Sequence, residues 1–304
     1  MSQQRYNLHR VLMNIHVPLR SILVATNLSD IKWLFPLACS VAEESGASIT
    51  LLYVITMMQG MTIDQGGLPY YGPTSALAEA EKELQTYCAR ARAANIQCEA
   101  IVVEGRPAEE ILATTKKLHT ELLIMGTRSH SGIEKWLLGS VAESVLRSSS
   151  VPVITVGPNA RKAAASRRPI QSILLATSLK SKLNNAVKIA SQWSERLHAR
   201  LALLHVVPAS SRDKALPEKI AQARESELRA LLPDPASHSD LVETHVRTGQ
   251  VVHEILAASA RFDLLALGAV RNSALERLAP GGTLYRVLAE AHCPVATFHS
   301  EHGK

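Results

Sequence analysis

Apolar residues recur along the chain in two rhythms, short unbroken runs and longer stretches at helical spacing. Residues 21–26, SILVAT, form an apolar, β-branched run. Residues 30–45, DIKWLFPLACSVAEES, are apolar at helical intervals up to Gly46, a C-cap signal. Pro36 inside that stretch predicts a kink or a late helix start. A second apolar run covers 48–55, and 75–94, SALAEAEKELQTYCARARAA, is amphipathic. Strand 96–103, helix 107–118, strand 121–126, helix 140–148 and strand 151–156 complete the pattern. This alternation builds βαβ units, and strands apolar throughout belong to a sheet covered by helices on both faces. With right-handed crossovers the prediction is a doubly wound, Rossmann-like α/β domain.

The pattern occurs twice. SILVATNLS at 21–29 returns as SILLATSLK at 172–180, with six of nine positions identical. LLYVI at 51–55 returns as LLHVV at 203–207, and VVEGRPAEEILA at 102–113 as VRTGQVVHEILA at 246–257. ELLIMGTR at 121–128 matches DLLALGAV at 263–270, and the closing SSSVPVITV at 148–156 matches AEAHCPVATF at 289–298. Blocks kept in order define a duplicated domain of roughly 140 residues rather than a short-period solenoid. The expected division is an N-terminal extension over 1–17, a first domain over 18–157, a linker over 158–169 and a second domain over 170–304.

Composition adds exclusions. Hydrophobic residues make up 46% and charged residues 20%, which suits a soluble globular chain, and at 4% aromatics the cores must be aliphatic. The net charge of +6 is partly spent on ARKAAASRR at 160–168, read as a solvated tether rather than a nucleic-acid surface. Cys39, Cys88, Cys98 and Cys293 stand at no metal-like spacing, and Cys39 and Cys88 fall in helical patterns as small core residues. The histidines, His130, His205, His253 and His292 among them, show no ligand spacing, and no metal site is expected. No run approaches the ~18 apolar residues of a membrane span, and no leader pattern is visible at the start, so a cytoplasmic location is expected.

In a doubly wound sheet, ligands bind at the carboxyl ends of the strands. The segment 126–140, GTRSHSGIEKWLLGS, lies there. Gly126 permits a sharp turn or close ligand approach, and Gly139-Ser140 stands at the start of a helix, with Ser140 the expected N-cap. The first N–H groups of that helix lack internal partners and favour an anion. Glycines at strand ends and serine caps are equally ordinary features of α/β proteins, so spacing alone leaves phosphate binding open. Neither a P-loop nor a GxGxxG turn is present. The segment 57–74 is Gly-rich with two tyrosines, and reads as a lid, an interaction surface or a plain insertion.

Taken together, the ATN start, the Gly105-x-Pro107 turn, the 126–140 loop and SVPVITV resemble the universal stress protein family, in both copies and over nearly all of 20–300. The resemblance implies a tandem member with an adenine nucleotide alpha hydrolase-like fold. It implies a loop G-x2-G-x9-G-[ST] around the ribose and phosphates of ATP, and an Asp and a Val at the adenine end. In the first copy Gly126, Gly139, Ser140 and Val54 match, while Ser129 replaces the middle glycine and Asn27 the Asp. Their neighbours Ala25, Thr26, Met125, Arg128 and Val141 join the candidate site. In the second copy Gly268 and Gly281 match, Arg271 and Ser178 replace the middle glycine and the Asp, and Gly282 followed by Thr283 replaces the hydroxyl position. ATP or another adenine nucleotide is therefore expected mainly in the first copy, as a regulator's ligand read out by a protein partner.

No general base stands beside the loop in the sequence, so no enzymatic activity beyond incidental ATP hydrolysis is expected. The alternative is a scaffold whose nucleotide sites have decayed. The family's closing strands pair domains, so SVPVITV and CPVATF predict pairing within one chain or a homodimer.

Overall fold

The computed structural model describes residues 19–56, 61–63, 69–71, 73–127, 138–179, 184–208, 218–232, 242–270 and 282–300. The first copy runs β1 (Ser21–Thr26), α1 (Ile31–Ser45), β2 (Ser48–Ile55), a hairpin of β3 (Met61–Ile63) and β4 (Pro69–Tyr71), α2 (Pro73–Ala93), β5 (Cys98–Glu104), α3 (Pro107–Lys117), β6 (Leu122–Gly126), α4 (Ser140–Ser148) and β7 (Val153–Val156). A short 3-10 turn (Pro158–Ala160) and α5 (Arg161–Ala165) lead into the second. That copy runs β8 (Ser172–Ala176), α6 (Asn184–Arg196), β9 (Arg200–Pro208), α7 (Glu218–Arg229), β10 (Val242–Gly249), α8 (Val251–Ser259), β11 (Leu264–Val270), α9 (Thr283–Glu290) and β12 (Val295–Ser300).

All strands but the β3–β4 hairpin join one ten-stranded sheet, ordered β10-β9-β8-β11-β12-β7-β6-β1-β2-β5. Every neighbouring pair is parallel except β7–β12, which is antiparallel and pairs Val295 with Thr155, Ala296 with Ile154 and Thr297 with Val153. The closing strands thus pair within one chain. Alternate residues of each strand feed opposite faces. Ile22 and Val24 pack under α1 and α2, while Leu23 and Ala25 pack with α3 and α4 residues such as Ile111 and Val145. Each core layer continues across the β7–β12 seam, with Ile154, Ala296 and Phe298 on one side and Val153 and Val295 on the other.

Two expectations change here. Pro36 lies inside an uninterrupted α1, which begins at Ile31 and ends at Gly46, left-handed at φ 73 as its C-cap role requires. The 158–169 segment is not a solvated tether. Ala160 and Ala164 are buried, Ser40 Oγ donates to Arg168 O at 2.8 Å, Arg167 pairs with Glu43, and the Arg161 guanidinium lies 4.3 Å from the Trp33 ring centroid. The small Ala side chains let α5 lie on α1, with Arg161 and Arg167 held by Trp33 and Glu43 while Lys162 and Arg168 are exposed.

Gly157, just past β7, shows how tightly the halves meet. A Cβ at that position would stand 2.8 Å from Leu288 O, a main-chain atom of α9 that cannot swing aside. Its φ of −77 suits any residue, so the constraint is space alone. Gly157→Ala is expected to lower stability by about 1–3 kcal/mol, through overpacking rather than backbone strain. Urea denaturation monitored by circular dichroism checks this, and an unchanged midpoint would show that the seam yields.

Candidate functional site

The strand order reverses between β1 and β6, and again between β8 and β11, which opens a crevice at the carboxyl ends of each pair. In the first domain the chain leaving β1 is tied by a reciprocal network. Thr26 Oγ1 donates to Asp30 Oδ1 at 2.6 Å and accepts from Leu28 N at 3.0 Å, while Asn27 N donates to the same Asp30 oxygen at 3.1 Å. In return Asn27 Oδ1 accepts from Asp30 N at 3.1 Å and from Ser29 Oγ at 2.6 Å. Closing so small a ring forces Leu28 to a left-handed φ of 68, at a cost of about 1–2 kcal/mol. Asn27's oxygen is thereby committed to the turn, and the remainder of its side chain is an amide that only donates.

Asp30 is buried, and desolvation pushes its carboxyl above the ordinary 3.8, partly offset by the Thr26 hydroxyl, main-chain N–H groups and the Arg161 charge. It missed notice in the sequence, although an Asp three residues after an Asn at a strand–helix junction is a capping spacing.

Val54, the next-to-last residue of β2, is buried in the same core layer as Ala25 and Met125. Gly126 ends β6, and Thr127 then holds both ends of the long loop. Its N–H donates to Val156 O at 3.2 Å, and its carbonyl accepts from Gly139 N at 2.8 Å. The N-cap of α4 is Gly139, with φ −65 and ψ 146, and Ser140 is the exposed first helical residue; no side chain caps the helix. The sequence expectation of Ser140 as N-cap is corrected by one residue. Both residue types suit a cap, and the Thr127 bond to Gly139 N decides between them. By helix geometry the N–H groups of Ser140, Val141 and Ala142 have no intrahelical acceptor. Arg128 and Ser129 lie outside the described residues, as do Arg271 and Gly281.

The second domain repeats the design with one group missing. Leu179 is left-handed at φ 57, as Leu28 is, but the sequence places Ser181 where the first copy has Asp30. Thr177, the counterpart of Thr26, is buried with its Oγ1 unpaired. Its carbonyl accepts from His205 Nδ1 at 2.9 Å, which fixes that nitrogen as the protonated one. Thr177, Ser178, His205, Val206, Gly268 and Thr283 border a cavity of about 390 Å³ floored by Ile255 and Leu284. Its size lies within the usual ~300–1,000 Å³ of small-molecule sites. Thr283 is the first residue of α9 behind the N-cap Gly282, so the glycine–hydroxyl pair persists here one position later than the loop spacing implied.

Residues 18–157 and 169–299 each match the model of the universal stress protein family. The chain belongs to that family. The chain is 29% identical over 157 residues to universal stress protein MJ0531 of Methanocaldococcus jannaschii, covering 50% of this chain and 89% of that one. Universal stress protein YxiE of Bacillus subtilis is 30% identical over 127 residues, covering 39% of this chain and 85% of its own. A universal stress protein of Archaeoglobus fulgidus shares the fold over 92% of this chain and 98% of its own, with a TM-score of 0.66 at 21% identity. Among the described residues, no helix is long and apolar enough to cross a membrane, and no group of three or more His, Cys, Asp or Glu is placed to hold a metal.

In this universal stress protein the two crevices are joined through α9. Thr283 borders the second-domain cavity, and two residues later the buried Tyr285 Oη accepts from Leu138 N at 2.8 Å. Leu138 immediately precedes Gly139, so a helix of the second domain fixes the end of the first domain's loop. The reverse contact has no counterpart. Glu143 matches Tyr285 in the repeat and pairs with Arg147 at 2.6 Å, while Pro280 matches Leu138 and has no N–H.

Tyr285→Phe leaves the ring but strands the buried Leu138 N–H, and is expected to cost about 1–3 kcal/mol in chemical denaturation. Asp30 gives a pH signature. Because its folded-state carboxyl binds a proton more tightly than the unfolded one, its contribution is greatest below 3.8 and is lost as pH rises through the folded value. Asn at this position keeps an acceptor for Thr26 and Asn27 and carries no charge. Asp30→Asn is expected to gain stability relative to wild type between pH 4 and pH 7, and urea melts across that range will reveal a flat difference if the carboxylate is indifferent.

Proposed function

We propose that this universal stress protein binds an adenine nucleotide, ATP or a close relative, mainly in its first domain, and acts as a ligand-dependent regulator in the cytoplasm. The observation that carries the reading is the double bond pattern of Thr127, which brings Gly126 and the start of α4 together at the β1–β6 crevice. Three N–H groups without helix partners then stand where a phosphate gains both hydrogen bonds and the positive end of the helix dipole. Gly139, at an ordinary φ of −65, adds no Cβ to obstruct the approach. The apolar residues Val54, Ala25 and Met125 supply a wall for a base.

The second-domain cavity supports a further, weaker site. Its apolar floor and the unpaired Thr177 hydroxyl suit a nucleoside, whereas the sequence puts Arg271 in place of the loop's middle glycine. Ligand occupancy at the start of α4 alters a surface read by a protein partner, with population shift as the mechanism. Because β7 and β12 are spent on each other, a homodimer of this chain would have to use other surfaces.

The scaffold alternative is favoured by Asn27, whose oxygen is consumed by Ser29 and Asp30 and cannot accept from a base amine. The two readings part in one experiment. Protein purified without added nucleotide is denatured, its released small molecules are identified by mass spectrometry, and the stripped protein is titrated with ATP. Binding predicts co-released adenine nucleotide and a stability gain growing as RT ln(1 + [L]/Kd), about 2.7 kcal/mol at one hundred times Kd. Gly139→Ala and Ser140→Ala are expected to weaken the gain. No nucleotide and no shift at millimolar ATP would leave the scaffold reading standing.

A further inference from the structure

Three of the four thiols, Cys39, Cys88 and Cys98, are buried in the first domain and share one core layer. Two of them touch. Cys88 sits on α2 and Cys98 is the first residue of β5, and their Sγ atoms are 2.9 Å apart, within about 1 Å of disulfide bonding distance. The connection between their elements holds them there. Asn95 takes a left-handed φ of 59, Ile96 N donates to Ala91 O at 3.0 Å, and Arg92 Nη2 reaches back to Cys98 O at 2.7 Å. The thiols therefore face each other across a turn pinned at both ends.

We propose that Cys88 and Cys98 form a dithiol modification site that a small hydroperoxide converts to an intradomain disulfide. In the first step the Cys88 thiolate attacks one peroxide oxygen. The O–O bond breaks, Cys88 becomes a sulfenic acid, and the other oxygen leaves as water or an alcohol with the proton Cys88 gave up. In the second step the Cys98 sulfur attacks the Cys88 sulfur, the S–O bond breaks, and hydroxide takes the Cys98 proton and leaves as water. Two thiols and one hydroperoxide thus give one disulfide, one water and one further water or alcohol.

The order of roles follows from the contact. The Cys98 thiol donates to Cys88 Sγ, which lowers the Cys88 pKa below its ordinary value with help from the Arg92 charge, and the same bond raises that of Cys98. Burial pushes Cys39 to about 11 and Cys293 to about 12, so neither competes as a thiolate. A small, neutral oxidant suits a pair at the end of α2 beside the edge strand β5, where the neighbouring Glu99 is exposed.

The test uses the full chain, reduced and then exposed to hydrogen peroxide or tert-butyl hydroperoxide. Remaining thiols are alkylated under denaturing conditions, and the disulfide is mapped by peptide mass spectrometry. The expected result is two alkylated cysteines instead of four, a mass loss of two hydrogens, and one cross-linked peptide pair joining Cys88 to Cys98. Closing this short loop raises the melting temperature of the oxidised chain, and dithiothreitol reverses it. Cys293→Ser is expected to leave the cross-link intact. Four alkylated thiols after a treatment that fully oxidises free glutathione, or a cross-link between any other pair, overturns the proposal without recourse to a core variant.

Discussion

The β7–β12 pairing is the contact on which the rest of the molecule depends. Each domain alone would end in a short apolar edge strand, VITV in one and VATF in the other, with a free row of N–H and C=O groups. Joining them antiparallel satisfies both rows and relates the two parallel sheets by a local two-fold. Equivalent threonines seal the joint. Thr155 Oγ1 donates to Val295 O and Thr297 Oγ1 to Val153 O, both at 3.3 Å and both fully buried. A hydroxyl buried so deeply needs a partner, and here each strand's threonine is satisfied by the opposite domain's backbone. Register and burial therefore specify each other: a slip of one residue would turn both hydroxyls out of reach.

The seam also explains why the domains communicate. Pairing β7 with β12 brings α9 across to the first domain, close enough that Gly157 faces Leu288 O without room for a methyl group and that Asn159 Nδ2 donates to Glu290 O at 3.0 Å. That approach places the Tyr285 hydroxyl on Leu138 N. A helix whose first residue borders one crevice and whose third residue anchors the loop of the other is a rigid element shared by two sites. Any ligand that bears on the start of α9 acts on the frame that positions Gly139.

The sequence displays the architecture because the architecture is repetitive and its signals are long. Apolar runs, helical spacing and Gly46 each mark a buried strand, a packed helix or a left-handed cap over many residues. The duplication then doubles every one of them. Details decided by single contacts were not legible. Gly139 and Ser140 are both acceptable caps, and only the carbonyl of Thr127, twelve residues earlier in the chain, selects the glycine. The spacing of the second loop hides Thr283 at the helix start, because α9 begins one residue later against its own N-cap. The linker reads as a tether by charge, yet alanine spacing and the aromatic face of Trp33 make it part of the first core. Cys88 and Cys98 carry no motif at all, since their contact arises from a helix end meeting a strand start.

Duplication gave the two crevices one backbone, and a single carboxylate makes them chemically unlike. In the first, Asp30 draws the hydroxyl of Thr26 and the main chain of Asn27 into a closed network, and Asn27 in turn closes on Asp30. The polar groups of that turn are spent on the turn itself. In the second, the sequence has Ser181 at the position of Asp30, and the counterpart threonine, Thr177, is buried with an unpaired hydroxyl at the edge of an apolar cavity. An unpaired hydroxyl removed from water costs free energy that a hydrogen-bonding ligand or an ordered water recovers. Both turns still hold a leucine in the left-handed region, so the strain of the fold has been kept in each copy while its chemistry has diverged. Polar groups without a partner lie at the start of α4 in the first crevice and just past β8 in the second.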